Sequence, residues 1–508
     1  MLWIALYIPE LSLQMALRAF ASDTIAPPPL VVATGADNRP VVHAANKVAQ
    51  ALGIKAGISI ASARALIQQG QTLSVIARHP VSELAAVHNL AGWTSQFTPS
   101  VSIKDAEGLL LEVAATLRMH DGLAMLLGRI RRGVHALGYR VSIGVAPTPL
   151  AAWVLAKARY QGYEIRVCQN KTELETRLAN LPLALLDWPL DVLNKLLSLG
   201  IVCMADCLAL PSDGFMKRFG AQHWADLQRM LGRVPDPRRY YLPPDTYQAR
   251  AEFGFEINDA MALLFPLRRL LAEMEGYLHG RGAGVLDYAI TLHHASRRSS
   301  ANHTAIRIRV AKVERQCERL LALAREHLMN LALADTVSAL SIQVDRLQPY
   351  REVSESWLPD PQQQPDTWFS LLDKLTARLG ADHVYQLQAL DDHRPEQSWQ
   401  ALAANVATHK ATNAATNSHR PIASTVPRPL FLLATPRKLM VEQGLPRCHG
   451  AIHIISGPER IESGWWDARP AARDYFVGRN RHGETMWLYV NHAVNHATAD
   501  WYLHGYFA

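Results

Sequence analysis

Two carboxylates in the first quarter of the chain, Asp105 and Glu107, are of the residue type that binds a divalent metal ion. If this stretch is a strand, its two-residue period puts both side chains on one face. Mg²⁺ prefers several oxygen ligands in octahedral geometry. Glu10, the carboxylate beside the first apolar strand, is expected to be a solvated residue that begins a helix. Two carboxylates without a partner from that strand make a poor magnesium cage, so we expect no metal ion there.

The stretch Val141–Lys157, with the sequence VSIGVAPTPLAAWVLAK, is predicted to form a strand, a turn and a helix. Apolar and small residues alternate at its start, as in a short buried strand. Thr148 is predicted to cap a helix that begins near Pro149, and Lys157 lies near the end of the second helical turn. By pattern alone this is an ordinary strand–turn–helix unit.

The length, charge and cysteine content limit the class of protein to which this chain can belong. The chain has 508 residues, of which 52 are basic and 45 acidic, giving a net charge of +7 and an isoelectric point near 9.1. This length suggests roughly three to five domains, and the mild positive charge favours nucleic acid only weakly. The five scattered cysteines suit a reducing cytoplasm. No stretch approaches the ~20 apolar residues of a membrane span, so we expect a cytoplasmic protein that does not contact a membrane.

The strand and helix of Val141–Lys157 resemble the palm of the Y-family (lesion-bypass) DNA polymerases. In that family a Ser-Ile-Gly-Val-Ala strand precedes a helix whose lysine faces the incoming triphosphate, and Lys157 takes this place. The resemblance implies an α/β multidomain fold. It would be a right hand of palm, fingers, thumb and little finger, followed by a small, mostly β C-terminal module.

The same resemblance implies a palm that has lost its metal ligands. The apolar strand Leu2–Ile8 matches the family strand that ends in Asp-x-Asp, and the alignment places Tyr7 and Pro9 at the two aspartates. The family's Asp-Glu pair is matched by Glu107 and Gly108. Tyr7, Pro9 and Gly108 supply no hard anionic oxygen for Mg²⁺. We therefore expect no catalytic residue, no bound metal and no cofactor.

A remnant of the nucleotide site is expected in the fingers. The segment Val41–Gly57 resembles the fingers helix in which the family's Tyr and Arg grip the triphosphate, and the matched positions hold Lys47 and Gln50. With Lys157, Lys47 forms the predicted nucleotide-binding remnant. The alternative is that Lys47 is a solvated charge on a helix.

The alignment also divides the chain into regions. These are palm-like residues 1–19 and 79–172, fingers-like 20–78, thumb-like 173–240 with a helix-hairpin-helix, little-finger-like 246–350, a linker 351–428 and a C-terminal interaction module 429–508. At the thumb hairpin, where the family has Gly-x-Gly, this chain has Asp187-Trp188-Pro189. A buried structural hairpin and a DNA contact both remain open there.

Basic residues follow the predicted strands of the little-finger-like region. Alternation puts Arg307 and Arg309 on one strand face, from which they would contact phosphates without regard to sequence. The alternative is an ordinary basic sheet surface, paired with Asp287 or Glu314. The predicted DNA-binding residues are Arg297, Arg298, Arg307, Arg309 and Lys312.

A degenerate sliding-clamp peptide is predicted after a Pro- and Gln-rich stretch. Gln364-Pro-Asp-Thr-Trp-Phe369 resembles a motif in which a Gln precedes an aliphatic residue and a terminal aromatic, with Thr367 in the aliphatic position. Its predicted clamp-binding residues are Gln364, Asp366, Trp368 and Phe369. Alternatively, Trp368 and Phe369 belong to the apolar face of a helix.

Over essentially its whole length, the chain resembles a catalytically degenerate branch of the family from bacterial mutagenesis cassettes. The most specific match is Gly457–Asp467, GPERIESGWWD. This implies a non-catalytic DNA-binding adaptor in damage-induced, error-prone translesion synthesis. Its expected partners are damaged or primer–template DNA, a RecA-like accessory protein, a DnaE-type polymerase and the β sliding clamp. The alternatives are an active polymerase with a displaced metal site (Asp105, Glu107 and Glu10) and a protein-interaction module without DNA affinity.

Overall fold

The computed structural model describes residues 1–18, 20, 28–35, 39–67, 71–164, 167–295, 302–351, 365–403, 428–442, 444–467, 470–492 and 500–507. It divides into two compact units, Met1–Arg378 and Leu379–Ala508. The predicted linker segments 352–364 and 404–427 lie outside the described residues, as do Arg297, Arg298 and Gln364. No helix in the described part of the chain is long and apolar enough to span a membrane.

The first 160 residues build two sheets with helices between them. The elements in chain order are β1 (Trp3–Tyr7), α1 (Leu11–Leu17), β2 (Leu30–Thr34), β3 (Val41–Ala45), α2 (Lys47–Ala51), α3 (Ile60–Ala65), β4 (Ser74–Ala77), α4 (Pro80–Thr94), β5 (Val101–Lys104), β6 (Gly108–Glu112), α5 (Leu123–Ala136), β7 (Ser142–Ala146) and α6 (Pro149–Tyr160). The central sheet has the order β5-β6-β1-β7, and the N-terminal sheet has the order β3-β2-β4.

Strand β1 lies inside the central sheet and is covered on both faces. Ile4 and Leu6 pack with α4 and α5 in one buried cluster, whereas Trp3 and Ala5 pack with α6 in another. Because both faces are buried, the strand reads as a continuous apolar run rather than an alternating one. The predicted strand Leu2–Ile8 is confirmed as Trp3–Tyr7.

The predicted strand–turn–helix unit is also confirmed. The Thr148 hydroxyl accepts a hydrogen bond from the Ala151 amide at 3.4 Å, and Pro149 is the first residue of α6. Helix α6 lies very close to β7, because a Cβ built on Gly144 would overlap the Ala152 carbonyl oxygen and the Ala156 amide nitrogen. The close approach brings the side chains of α6 over the end of β1.

Short helices follow. They are α7 (Leu174–Leu178), α8 (Leu190–Ser198), α9 (Met204–Leu208), α10 (Ser212–Phe219) and α11 (Ala221–Met230). Their apolar residues join α6 in one core. The Thr148 hydroxyl that caps α6 also donates to the Met230 carbonyl at 2.7 Å. These helices are therefore packed onto the central sheet through α6.

A helix-backed sheet completes the first unit. Its elements are β8 (Tyr247–Ile257), α12 (Leu264–Arg281), β9 (Ala283–His294), β10 (His303–Glu314), α13 (Cys317–Met329), β11 (Val337–Val344), β12 (Gln348–Pro349) and α14 (Pro365–Leu379). The strand order is β10-β9-β11-β8, with β12 paired to β9. Helices α12 and α13 share a core with one face of this sheet, and the other face is open.

The second unit is rich in β-structure, as predicted for residues 429–508. Its strands are β13 (Tyr385–Ala389), β14 (Trp399–Ala403), β15 (Phe431–Lys438), β16 (Met440–Glu442), β17 (Leu445–Arg447), β18 (Ile452–Ser463), β19 (Ala471–Asn480), β20 (Thr485–Asn491) and β21 (Trp501–Tyr506). The main sheet has the order β15-β21-β20-β19-β18. Tyr475, Trp487 and Tyr489 fill part of its core.

A buried ion pair joins α1 to α12 in the first unit. Arg18 Nη2 lies 2.8 Å from Glu273 Oε2, with side-chain exposures of 7% and 1%. Arg18 also donates to the Leu137 carbonyl at 2.8 Å and to the Tyr139 hydroxyl at 2.5 Å. Removing one member of a buried pair leaves the other charge without compensation.

We predict that Glu273→Gln lowers the free energy of unfolding by about 3–5 kcal/mol, because Arg18 keeps its charge and loses its carboxylate. Urea unfolding followed by circular dichroism measures this. The matched control is Asp121→Asn, since the Asp121–Arg129 pair is 70% and 41% exposed and such pairs contribute about 0–1 kcal/mol. Equal effects of the two variants would contradict the assignment.

The second unit is expected to lose stability in acid through His504. This side chain is 1% exposed, and its Nδ1 lies 2.9 Å from the Tyr475 hydroxyl. Burial lowers the pKa of His504 to about 4, with the Glu396 carboxylate opposing and the Arg473 charge reinforcing the shift. The unfolded histidine binds a proton below about pH 6.5. The folded one does not, so stability falls as the pH is lowered from 6.5 towards 4.

Calorimetric melting of the full chain over this pH range tests the effect. We expect His504→Phe to flatten the pH dependence of the second unit's transition, because the variant has no proton to gain on unfolding. The exposed His453 gives the control variant His453→Gln, which should keep the wild-type slope. Identical slopes for wild type and His504→Phe would refute the prediction.

Candidate functional site: an aromatic cluster at the end of a central strand

Tyr7 ends β1 at the place that the alignment matches to a metal-binding aspartate. In the strand register it faces Gly108 of β6 and Ser142 of β7. Its ring packs edge-on against Trp153, with centroids 5.3 Å apart, and against Tyr160 at 5.7 Å. Burial, reinforced by the Glu107 charge, raises the pKa of Tyr7 to about 12. The phenol is therefore neutral near pH 7 and is not a ligand of the kind Mg²⁺ prefers.

Gly108 begins β6 where the alignment places a carboxylate of the family. A Cβ built at this position would overlap the Leu6 carbonyl oxygen and lie 2.9 Å from the Trp153 ring. Any side chain here requires the strand or the tryptophan to shift. The aromatic packing and the glycine thus depend on each other.

The prediction that Asp105 and Glu107 share a strand face is wrong. Both lie on the 3₁₀ turn Asp105–Glu107 that joins β5 to β6, because the chain reverses direction at this point to form a hairpin. Asp105 has a φ of 50°. Its side chain is 79% exposed and lies 3.0 Å from Lys104 Nζ. Glu107 is also exposed, and the two carboxylates are not held as a pair by a common strand.

Pro9 and Glu10 lie in the turn between β1 and α1. The Pro9 carbonyl accepts a hydrogen bond from Gln14 Nε2 at 2.6 Å. Glu10 is exposed at the N-cap of α1, with a φ of 51° and no capping hydrogen bond from its side chain. In the described part of the chain, no group of three or more His, Cys, Asp or Glu side chains is arranged to hold a metal ion.

Lys157, the predicted triphosphate ligand, is engaged by a carboxylate of its own chain. Its Nζ lies 2.6 Å from Asp187 Oδ1, and Trp153 Nε1 donates to Asp187 Oδ2 at 3.0 Å. Lys104 Nζ lies 3.4 Å from the same carboxylate. Burial opposes the ionisation of Asp187, but the hydrogen bond and charge of Lys157, then the Lys104 charge and the Trp153 hydrogen bond, hold its pKa below the usual value.

Asp187 is the site residue that sequence reasoning missed. The sequence of the Asp187-Trp188-Pro189 turn predicts either a buried hairpin or a DNA contact, and neither interpretation gives Asp187 a role. In the structure Trp188 is buried and its Nε1 donates to Asp226 at 3.3 Å, so this turn contributes to the core. The one sequence feature that could have indicated Asp187 is its position as an acidic residue in an apolar turn. Its partner Lys157 lies 30 positions away, so no local sequence pattern connects the two residues.

A cavity of about 240 Å³ adjoins this cluster. Three acidic and three basic side chains line it, and they are paired with one another. Arg229 lies 3.0 Å from Asp226, and Arg238 lies 2.5 Å from Asp236. The charges compensate within the wall, so the cavity presents no concentrated positive charge to a triphosphate. The charged lining residues are Lys104, Asp187, Asp226, Arg229, Asp236 and Arg238.

The predicted fingers residue Lys47 is exposed at the first position of α2, after the Asn46 cap. The Asn46 side chain accepts from the Ala49 amide at 2.9 Å and from the Leu30 amide at 3.1 Å. Asn46 therefore fixes the start of this short helix. Lys47 itself stays a predicted anion contact.

The predicted DNA-binding residues that the structure describes lie on β10. Arg307 and Arg309 alternate with the buried Ile308 and Val310, so both arginines lie on the open face of the helix-backed sheet. Arg307 donates to Asp287 Oδ2 at 2.8 Å through Nε. Arg309 and Lys312 are exposed.

On the open face of the helix-backed sheet, polar side chains from neighbouring strands lie side by side in rows. The register aligns Arg307 with Ala289, Gln343 and Gln248. The next row contains Thr291, Ser341 and Arg250. Counted over these rows and their neighbours, three arginines (Arg250, Arg307 and Arg309) lie beside three carboxylates (Asp287, Glu252 and Asp345). Arg250 Nε lies 3.2 Å from Glu252 Oε1.

The predicted clamp segment runs into a helix. Trp368 and Phe369 belong to α14, which begins at Pro365. Trp368 is 58% exposed. The Asp373 carboxylate accepts from the Ala311 amide at 2.8 Å, and Arg378 pairs with Glu326 at 2.8 Å. Helix α14 is thus attached to β10 and α13, with its tryptophan left at the surface; Asp366 lies in its first turn, and its side chain is not described.

The segment Gly457–Asp467 lies on β18 and the turn after it. Trp465 and Trp466 are 83% and 63% exposed and pack edge-to-face with centroids 5.3 Å apart. Asp467 pairs with the buried Arg394 at 2.7 Å. The charged part of the motif is therefore anchored, whereas its two tryptophans stay at the surface.

Comparison with known proteins identifies the class. Residues 16–157 match the impB/mucB/samB family, a range that contains the β5–β6 hairpin and Lys157 and begins after Tyr7. The chain is 28% identical over 231 residues to DNA polymerase IV of Desulfatibacillum aliphaticivorans, covering 45% of this chain and 56% of that protein. The described α/β architecture thus includes a Y-family polymerase-like domain, followed by an additional sheet-rich region.

A match over nearly the whole chain is to Protein ImuB. The chain is 25% identical over 474 residues to ImuB of Caulobacter vibrioides, covering 90% of this chain and all of that protein. Among solved structures, DinB from Sulfolobus solfataricus aligns with 68% of this chain and 99% of its own, at 16% identity and a TM-score of 0.38. The chain is ImuB-like.

We predict that Gly108→Ala lowers the free energy of unfolding by at least about 2 kcal/mol, because the added methyl group must displace Trp153 or the strand. Gly128→Ala is the matched control, since a Cβ there meets no atom within 4 Å and a helical Gly→Ala change stabilises by about 0.5–1 kcal/mol. Thermal and urea unfolding of both variants measure the difference. A neutral Gly108→Ala would show that the cluster is not closed as described.

Proposed function

We propose that this protein is a non-catalytic DNA-binding adaptor in damage-induced, error-prone translesion synthesis. It would link a RecA-like accessory protein (ImuA) and a DnaE-type polymerase to the β sliding clamp. The observation that carries the proposal is the closed cluster of Tyr7, Gly108 and Trp153 at the end of β1. The palm-like to C-terminal regions, with the boundaries given above, are part of this proposal.

The chemistry of nucleotide addition argues against catalysis by this chain. Two-metal phosphoryl transfer needs carboxylates that clamp both ions between the attacking and leaving oxygens. At the matched positions this chain has a neutral phenol and a glycine. The lysine that would meet the triphosphate is paired with Asp187 instead, so a nucleotide would have to break that pair in order to bind.

DNA binding is assigned to the open face of the helix-backed sheet. Arg309, which is exposed, would contact phosphates directly, while Arg307 shares its charge with Asp287 and Arg250 shares its charge with Glu252. Contacts to phosphates give affinity without sequence preference and weaken as salt increases. Arg297, Arg298 and Lys312 stay predicted contributors to the same surface.

The partner assignments rest on the ImuB-like sequence and two surface features. Trp368 is exposed on α14 next to the predicted clamp residues Gln364, Asp366 and Phe369. The Trp465–Trp466 pair is exposed in the C-terminal module. Exposed tryptophans are enriched at the centres of protein interfaces, so we assign the clamp contact to the first and a protein partner to the second.

The rival function is an active polymerase that uses Asp105, Glu107 and Glu10. It would require the Asp105–Glu107 turn and the start of α1 to converge on two metal ions. The exposure of Asp105 and its pair with Lys104 weigh against this, but the rival makes a distinct prediction about primer extension.

We predict salt-sensitive binding to primer–template DNA without primer extension in Mg²⁺ or Mn²⁺. Arg307→Glu/Arg309→Glu should weaken binding and reduce the slope of log K against log salt by about 1 to 2, because the phosphate contact of Arg309 is lost together with the contribution of Arg307, which shares its charge with Asp287. Fluorescence anisotropy across a salt series, with extension read in the same tubes, measures both quantities.

Arg131→Glu/Arg132→Glu on α5 changes the net charge equally at exposed positions and serves as the control, which should keep the wild-type salt slope. Equal losses in the two double variants would remove the assignment to β10. Extension that disappears in Asp105→Ala/Glu107→Ala would establish the rival polymerase. Absence of any DNA binding would leave a protein-interaction role alone.

A further inference from the structure

Helix α5 packs on the face of the central sheet opposite α6. Its residues Leu126, Ile130 and Val134 lie in the same buried cluster as Ile4 and Leu6. The other side of the helix therefore points away from the sheet. We call this outward side the α5 face, and it consists of Met125, Gly128, Arg129, Arg131 and Arg132.

The α5 face carries positive charge that nearby carboxylates do not balance. Residues 114–140 contain five arginines and a single acidic residue, Asp121. Asp121 pairs with Arg129 at 3.0 Å. In the part of the chain that the structure describes, neither Arg131 nor Arg132 forms an ion pair, and Arg132 donates only to a backbone carbonyl at 3.3 Å.

Two exposed arginines elsewhere in the first unit do have a carboxylate partner. Arg268 pairs with Glu318 at 2.6 Å, and Arg233 pairs with Glu175 at 2.7 Å. On α5 the chain supplies one carboxylate for three neighbouring arginines. The remaining charge is complementary to an acidic partner.

Methionine distinguishes this surface from a simple phosphate-binding patch. Met119, in the 3₁₀ turn before α5, is 76% exposed, and Met125 is 48% exposed. Methionine and arginine are enriched at protein–protein interfaces, where lysine is depleted, and residues 114–140 contain no lysine. Flexible thioether side chains contact apolar groups, which a phosphate backbone does not offer. The composition therefore favours a protein partner over a nucleic acid.

Gly128 has no packing role among the described residues. A Cβ built at this position meets no atom within 4 Å, whereas one built on Gly133 of the same helix would overlap the Trp93 ring. Glycine inside a helix is destabilising relative to alanine, so the packing of α5 does not explain Gly128. The distance between two packed helices depends on the side chains at their contact, and a glycine there permits a close approach.

We propose that the α5 face binds an acidic, amphipathic helix of a partner protein. Glutamate or aspartate side chains of this helix would pair with Arg131 and Arg132, and its apolar residues would contact Met125. The backbone of α5 is hydrogen-bonded within the helix and offers no edge to an extended peptide. The side-chain ridges of a second helix fit such a surface, with the closest approach at Gly128. None of these residues belongs to the surfaces assigned to DNA or to the clamp.

The test is a displayed library of amphipathic peptides of about 18 residues, or five helical turns, selected on the full chain. Contact positions are randomised among Ala, Leu, Met, Gln, Glu and Lys. We expect the selected peptides to be enriched in Glu over both Gln and Lys, because like charges that face α5 are repelled. The affinity of one selected peptide, labelled with fluorescein and measured by anisotropy, should fall as salt increases.

Two variants locate the site on α5. Arg131→Glu/Arg132→Glu reverses the charge, and Gly128→Leu blocks the close approach with a residue that favours a helix. Each should weaken binding of the selected peptide at least about tenfold. A version of the peptide with Lys in place of Glu should bind Arg131→Glu/Arg132→Glu more tightly than the wild type, which also shows that this variant is folded.

The matched controls lie on α10. Lys217→Glu/Arg218→Glu makes the same change of charge at exposed positions. Gly214→Leu adds the same side chain at an exposed helical glycine whose Cβ also meets no atom within 4 Å. Both controls should leave the affinity for the selected peptide unchanged.

The proposal is overturned if the selected peptides are not enriched in Glu, or if they bind Arg131→Glu/Arg132→Glu as tightly as the wild type. It is also overturned if a single-stranded oligonucleotide binds the wild type and loses affinity in Arg131→Glu/Arg132→Glu but not in Gly128→Leu. That result would assign α5 to nucleic acid. Peptide binding is read without DNA, so a failure of the proposed DNA interface is distinguishable from a failure of this proposal.

Discussion

The close approach of α6 to the central sheet is the constraint on which the rest of the site depends. Gly144 lets the helix backbone reach β7, and Gly108 leaves room for the Trp153 ring above the end of β1. Tyr7 then packs edge-on against that ring. The two aromatic rings therefore occupy the end of β1, where the matched positions carry no carboxylate. The aromatic cluster and the absence of a carboxylate at positions 7 and 108 are one structural feature.

The ion pair of Lys157 also follows from the position of α6. The helix places its ammonium group in a partly buried position, where an unpaired charge is costly. Asp187, which comes from the turn before α8, supplies the compensation, and it also accepts from Trp153. The pair ties the helices after residue 173 to the central sheet through α6. Lys157 thus acts here as a structural contact.

Much of this fold could be predicted from local patterns. The strand and capped helix of Val141–Lys157 were predictable because Thr148 and Pro149 act within one turn. The alternation on β10 predicted the exposure of Arg307 and Arg309 for the same reason. The Asp105–Glu107 turn could not be predicted, because a two-residue period does not show where a hairpin reverses.

Ion pairs between residues that are far apart in the sequence could not be predicted either. Lys157 and Asp187, and Arg18 and Glu273, are joined only by the packing of separate elements.

We infer that the cluster of Tyr7, Gly108 and Trp153 holds no pair of metal ions. Electron paramagnetic resonance of Mn²⁺, added to the full chain with primer–template DNA and a nucleotide triphosphate, is the direct test. We expect Asp105→Ala/Glu107→Ala to bind the same amount of Mn²⁺ as the wild type, because neither carboxylate holds an ion. Saturable Mn²⁺ binding by the wild type that is lost in this double variant would show instead that these carboxylates hold a metal ion.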